Sequence, residues 1–97
     1  MRDKTTEIGW KAFIELCCKF QDPKVLEEVF NLFLTHEEKE ALSTRHLLVK
    51  SLLEEKMTQR EIAEKMKISI SKITRGSNAL KIISQQLKEE LKKKMGE

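Results

Sequence analysis

Apolar side chains recur every three or four residues along most of this chain, the spacing of helices that bury one face. The first such stretch predicts a helix from about Thr6 to Phe20. Asp22 and Pro23 have the pattern of an N-cap followed by proline at the first helical position, which predicts a second helix. That helix has little polar face, so we expect it to be enclosed, with another subunit as one candidate cover.

Two capping-box spacings predict the starts of further helices. Thr35 and Glu38 open a long helix to about Leu53, and Thr58 with Glu61 opens a short one. Apolar residues from Ile82 to Met95 predict a C-terminal helix with Ser84 as its cap. One proline, three glycines and no tyrosine in 97 residues favour a single all-α domain over residues 1–97.

Residues 58–81 carry the pattern of a helix-turn-helix, in which the second helix enters a DNA major groove. Two short helices are separated by the turn Lys67-Ile68-Ser69, with Ser69 as the second N-cap. This stretch holds six basic and two acidic residues, a net charge of +4, whereas residues 1–57 have a net charge of −2. Such a concentration of positive charge is typical of a phosphate-binding surface. An ordinary helical hairpin with a solvated basic face is the alternative.

Two residues depart from the pattern of their helices. Arg45 falls on the apolar stripe of the long helix, with Ala41, Leu42, Leu48, Val49 and Leu52. Because arginine is rarely buried without a partner, it either reaches solvent or a nearby glutamate, or faces a ligand. Gly76 lies inside the second helix of the motif, where glycine costs about 1 kcal/mol relative to alanine. It indicates a kink, an early helix end, or close approach by something flat.

The sequence gives little indication of a metal site, a disulfide, an enzyme active site or a membrane span. Cys17 and Cys18 are adjacent, and His36 and His46 have no ligand spacing, so we expect neither a metal site nor a disulfide. No nucleophile–base pair or phosphate loop indicates an enzyme. No apolar run approaches the roughly 18 residues of a membrane span, so we expect a soluble, intracellular protein. A chain this short gains stability by pooling two cores, which favours a dimer.

The run Ile73 to Lys81 (ITRGSNALK), with the rest of residues 58–81, resembles the bacterial Trp repressor family. Leu32–Thr35 and Ala41–Leu53 match too, Trp10 lies where the family's first helix carries a tryptophan, and the likeness covers roughly residues 8–95. The resemblance implies a six-helix subunit in an intertwined homodimer in the bacterial cytoplasm. It further implies an L-tryptophan-dependent repressor that binds the double-stranded operator DNA of tryptophan metabolism genes.

The resemblance also implies two sets of site residues. L-Tryptophan, the corepressor, would contact one subunit through Leu32, Leu34 and Thr35, and the other through Arg45, Val49, Arg75, Gly76 and Ala79. Operator DNA would be contacted by Gln59, Arg60, Ile70, Ser71, Lys72, Thr74, Asn78 and Lys81. Tryptophan would act as a wedge between the helix-turn-helix of each subunit (its reading head) and the rest of the dimer. It would hold the two reading heads at the spacing of successive major grooves.

Four residues depart from the family pattern. Ala79 replaces a serine of many members, and Ala63 replaces a lysine of the best-known branch, while Lys72 adds a charge. Lys67 stands where a turn glycine is usual, so it must adopt a left-handed or similar conformation. Two other functions stay open: a ligand-independent helix-turn-helix protein, and a helical dimerisation module whose motif is scaffolding.

Overall fold

The computed structural model describes residues 4–96, which form six α-helices. They are α1 (Lys4–Cys17), α2 (Pro23–Phe33), α3 (His36–Glu54), α4 (Gln59–Met66), α5 (Ile70–Ile82) and α6 (Gln85–Met95). No strand occurs in this part of the chain, so the prediction of an all-α, six-helix subunit is confirmed. None of these helices has the length and apolar content to cross a membrane. The chain divides into two compact units, one ending at His36 and the other beginning at Glu37, which are described separately.

Side-chain caps fix the starts of α2 and α6. Asp22 Oδ1 accepts a hydrogen bond from the Lys24 N–H (3.0 Å), and Ser84 Oγ accepts one from the Leu87 N–H (3.1 Å). Both predicted caps are therefore confirmed. The expectation that Ile82 and Ile83 belong to the last helix is wrong, because α5 runs to Ile82 and α6 begins after the Ser84 cap.

The first helix ends at Cys17 rather than at the predicted Phe20. The Lys19 N–H donates to the Leu16 carbonyl (3.0 Å) and the Phe20 N–H to the Cys17 carbonyl (3.2 Å). These bonds span three residues instead of four, so the chain tightens into a terminal turn. The long helix follows Thr35 directly and ends at Glu54, one residue beyond the prediction.

Aromatic rings hold the first unit together. The Phe13 ring centroid lies 5.9 Å from that of Phe30, 5.3 Å from that of Phe33 and 6.3 Å from that of Trp10, within the usual range for ring pairs. No residue of α1 or α2 is buried, and Trp10 is 61% exposed. The described residues of the first unit therefore do not provide the enclosure expected for α2.

The core of the second unit lies where α4 and α5 meet α3. Leu48 of α3, Ile62 of α4 and Ile73 of α5 are buried and form one cluster. Complete burial of an isoleucine side chain contributes about 1.5–3 kcal/mol. Partly buried side chains surround the cluster: Leu52, Met57, Ala63, Met66 and Ile68.

Only the C-terminal half of the predicted α3 stripe is covered. Leu48 is buried, and Val49 and Leu52 are half-buried, as expected. Ala41, Leu42 and Arg45 are exposed, contrary to the expectation that they face inward. Helix α5 approaches α3 at Gly76, where Leu48 and Leu52 from the C-terminal half of α3 lie nearest. Arg45 thus takes the route to solvent that an arginine without a buried partner requires.

Candidate nucleic-acid interface

The first helix of the motif begins with a complete capping box. Glu61 Oε1 accepts a hydrogen bond from the Thr58 N–H (2.8 Å), and Thr58 Oγ1 accepts one from the Glu61 N–H (3.1 Å). The Thr58 backbone N–H, and to a smaller extent the Thr58 hydroxyl, hold the pKa of Glu61 below its ordinary value, because a hydrogen bond to the charged form of a carboxyl group favours that form. The predicted box is confirmed.

The turn between α4 and α5 has the predicted composition and backbone. Lys67 adopts the left-handed conformation, with φ 56° and ψ 46°. The Ile68 N–H donates to the Ala63 carbonyl (3.2 Å), a bond typical of Schellman helix ends. Ser69 Oγ accepts a hydrogen bond from the Lys72 N–H (3.2 Å), so Ser69 is the N-cap of α5.

Buried apolar contacts fix the motif as a unit. Ile62 and Ile73 have no exposed surface, and both pack with Leu48. Each isoleucine lies four residues after the Thr58 or Ser69 cap of its helix, so the caps set which face turns inward. The opposite faces of α4 and α5 are left exposed.

All the residues predicted to contact DNA are exposed. Two of them begin α4, four lie in the first turns of α5 and two lie toward its end. Ile70 is 50% exposed at the first position of α5. The eight exposed residues are Gln59, Arg60, Ile70, Ser71, Lys72, Thr74, Asn78 and Lys81.

Gly76 marks a close approach between α5 and α3. A Cβ atom at Gly76 would lie 3.0 Å from Leu48 Cδ2 and 3.4 Å from Leu52 Cδ1. The helix continues through Gly76 to Ile82, so the early helix end considered for Gly76 is wrong. Leu48 and Leu52 lie in the direction that a side chain at this position would take.

This crossing brings two groups of predicted ligand residues onto adjoining helices. Arg45 and Val49 lie on α3 beside Leu48, and Arg75 precedes Gly76 on α5. Arg45, Arg75 and Ala79 are exposed, while Val49 and Gly76 are half-buried. The remaining predicted ligand residues belong to the first unit, in which Leu32 is 78% exposed, Leu34 half-buried and Thr35 exposed.

Sequence reasoning missed the left-handed conformation of Glu55, which has φ 56°. Glu55 follows the last residue of α3, and no local signal distinguishes it from its neighbours. The contact of Leu48 and Leu52 with Gly76 was also missed, because it joins distant parts of the chain. Across residues 4–96, no three His, Cys, Asp or Glu side chains are grouped to hold a metal ion. Cys17 and Cys18 are free thiols.

The sequence is similar to that of one protein family and of its members from several bacteria. The sequence profile of a family described as "Trp repressor protein" matches residues 8–95. A "Trp operon repressor homolog" from Chlamydia caviae is 50% identical over 92 residues, covering 95% of this chain and 91% of the relative. The homolog from Chlamydia trachomatis serovar D is 49% identical, covering 92% and 95%. The homolog from Mannheimia succiniciproducens is 40% identical, covering 91% and 87%.

Proposed function

The chain belongs to the Trp repressor family, and from this membership we propose that it is an L-tryptophan-dependent transcriptional repressor. It binds the operator DNA of tryptophan metabolism genes through the helix-turn-helix of residues 58–81. The observation that carries this proposal is the arrangement of α4 and α5. Both helices are capped and both pack on Leu48 through a buried isoleucine, and α5 leaves Lys72, Arg75 and Lys81 exposed with no acidic residue among them.

The first turns of α5 and Arg60 at the start of α4 supply the base contacts. In helix-turn-helix proteins, the N-terminal residues of the second helix reach base edges in the major groove. Arg60 is the best candidate for a guanine, because its guanidinium group matches the two acceptors of that base. Ile70 would contact a thymine methyl group. Lys72 and Lys81 mainly contact phosphate, so binding is strongly salt-dependent.

Tryptophan is held between two guanidinium groups. Arg45 and Arg75 lie on helices that touch at Gly76, and both are exposed and so open to a ligand. Stacking of an indole on a guanidinium group contributes up to about 2 kcal/mol when water is excluded. Arg75 pairs with the carboxylate of the amino acid, while Val49, Gly76 and Ala79 line the same site.

A second subunit completes the ligand site. Leu32 and Leu34 offer backbone carbonyls for the ammonium group, and Thr35 offers its hydroxyl for the carboxylate, from the partner chain. In this proposal the chain is a single domain, residues 1–97, and two copies form an intertwined homodimer. The dimer acts in the bacterial cytoplasm. No metal takes part. The exposed apolar residues of α1 and α3, including Ile8 (68%) and Leu42 (53%), support this assembly, because removing apolar side chains from water favours association.

The bound amino acid acts as a wedge. It holds the two reading heads about 34 Å apart, the distance between successive major grooves on one face of DNA. Affinity for the operator rises only as far as tryptophan distinguishes this arrangement from the unliganded one, typically by about 1–3 kcal/mol.

Arginine-to-alanine variants test this function. We expect Arg45→Ala and Arg75→Ala to abolish the tryptophan-induced rise in DNA affinity, because each removes one face of the stack. Arg60→Ala is the matched control: it should weaken DNA binding while leaving tryptophan binding intact. Calorimetry with L-tryptophan and anisotropy with labelled operator fragments measure the two equilibria separately.

Each outcome selects one function. Heat that saturates at one tryptophan per chain, lost in the Arg45 and Arg75 variants, supports the proposal. DNA binding without any tryptophan heat would indicate a ligand-independent helix-turn-helix protein. No salt-dependent binding of duplex DNA would favour a dimerisation module.

A further inference from the structure

Two strained residues bracket the first helix of the motif. Among residues 4–96, the non-glycine residues with positive φ are Glu55 and Lys67, each at 56°. Glu55 lies between α3 and α4, and Lys67 ends α4. Glycine occupies this left-handed region without the steric penalty that a Cβ atom brings. Residues held in such conformations are concentrated at functional sites.

The lysine side chain at position 67 brings a charge that glycine would lack. The backbone bonds at the turn run from the Lys67 N–H and the Ile68 N–H to the Ala63 carbonyl, and glycine at position 67 would allow both equally well. The Lys67 side chain is exposed, so burial of its apolar stem does not explain its presence. What remains is a positive charge in solvent.

We propose that Lys67 contacts a DNA phosphate beside the groove that α5 enters, an inference that rests on the proposed function. Lys67 lies two residues before Ser69, the N-cap of α5, and the N-terminal end of this helix points to the DNA. A flexible ammonium group at the turn can reach the strand that borders the groove. The resulting contact is independent of base sequence, because phosphates carry no sequence information.

A salt titration with a random-sequence duplex tests the proposal, with saturating L-tryptophan and full-length protein throughout. Lys67→Asn removes the charge, while asparagine still tolerates the left-handed conformation. For Lys67→Asn, the plot of log affinity against log salt concentration should be less steep than for the wild-type chain. The difference should be the amount that about one phosphate contact contributes. Lys67→Arg should keep the wild-type slope. Thermal melts of Lys67→Asn should match the wild type, which excludes unfolding as the cause.

Lys56→Asn is the matched control, because it removes the same charge from an exposed residue just outside the motif. It should keep the wild-type slope. The proposal is overturned if Lys67→Asn also keeps that slope, or if Lys56→Asn loses as much, since net charge alone would then explain the effect. Absence of any salt-dependent binding by the wild-type chain would overturn the proposed function as well.

Discussion

At Gly76, a hydrogen atom in place of a side chain allows α5 to lie directly against α3. Leu48 Cδ2 would be only 3.0 Å from a Cβ atom at this position, which is closer than carbon atoms ordinarily approach. Leu48 is 4% exposed and packs with Ile62 and Ile73, so it has little room to move. The glycine therefore sets how closely the DNA-reading helix approaches the rest of the second unit.

We expect Gly76→Ala to destabilise the protein by about 1 kcal/mol. Alanine would gain about 1 kcal/mol in helix propensity, but forcing a methyl group against a packed leucine costs about 1–3 kcal/mol. Leu48→Val removes the Cδ atoms that would clash, at about 1 kcal/mol for the lost methylene. The double variant should then be more stable than the sum of the two single changes predicts. Urea unfolding of the four proteins measures this coupling.

The same measurement shows whether the crossing has been assigned correctly. A coupling free energy near zero would mean that Leu48 does not limit the residue at position 76. In that case the glycine would be explained better by its predicted contact with the indole ring of tryptophan.

The helices show which features a sequence determines locally. Thr58, Ser69 and Ser84 were all predicted as caps, because a cap needs only a hydroxyl and a backbone N–H three residues later. The end of α1 was placed three residues too late, because Cys18, Lys19 and Phe20 carry no stop signal. The left-handed Lys67 was expected from the family pattern, whereas Glu55 had no such guide. Local chemistry thus predicts where helices begin better than where they end.

The capping box of α4 gives this helix a pH dependence. Because the folded-state pKa of Glu61 lies below its ordinary value, the box stabilises the protein above the unfolded pKa of about 4.3. That contribution is lost as pH falls through the folded-state pKa. Glu61→Gln keeps an acceptor but not the charge. We therefore expect the stability difference between wild type and Glu61→Gln, measured by urea midpoints, to shrink on acidification from about pH 6 to pH 3. Parallel pH profiles would contradict this assignment.

At the scale of the whole molecule, the chain leaves large apolar side chains in contact with water. Ile8, Trp10, Leu32 and Leu47 are each more than half exposed. The sequence could not predict this exposure, because helical periodicity identifies an apolar face without identifying what covers it. The exposed half of the α3 stripe is the clearest instance, since Leu42 has the pattern of a core residue. The homodimer that we propose would cover these side chains.

Aspartate variants at two residues of nearly equal exposure test which surface forms the subunit interface. Leu42 is 53% exposed on α3 and Ile70 is 50% exposed on α5, so an isolated chain would leave an introduced aspartate in contact with water at both positions. If Leu42 lies in the subunit interface, Leu42→Asp buries an unpaired charge, which costs several kcal/mol. Sedimentation equilibrium should then show monomers for this variant, with a lower Tm. Ile70→Asp should remain dimeric and lose DNA affinity, because it places a negative charge beside phosphate. A dimeric Leu42→Asp protein with an unchanged Tm would exclude Leu42 from the interface.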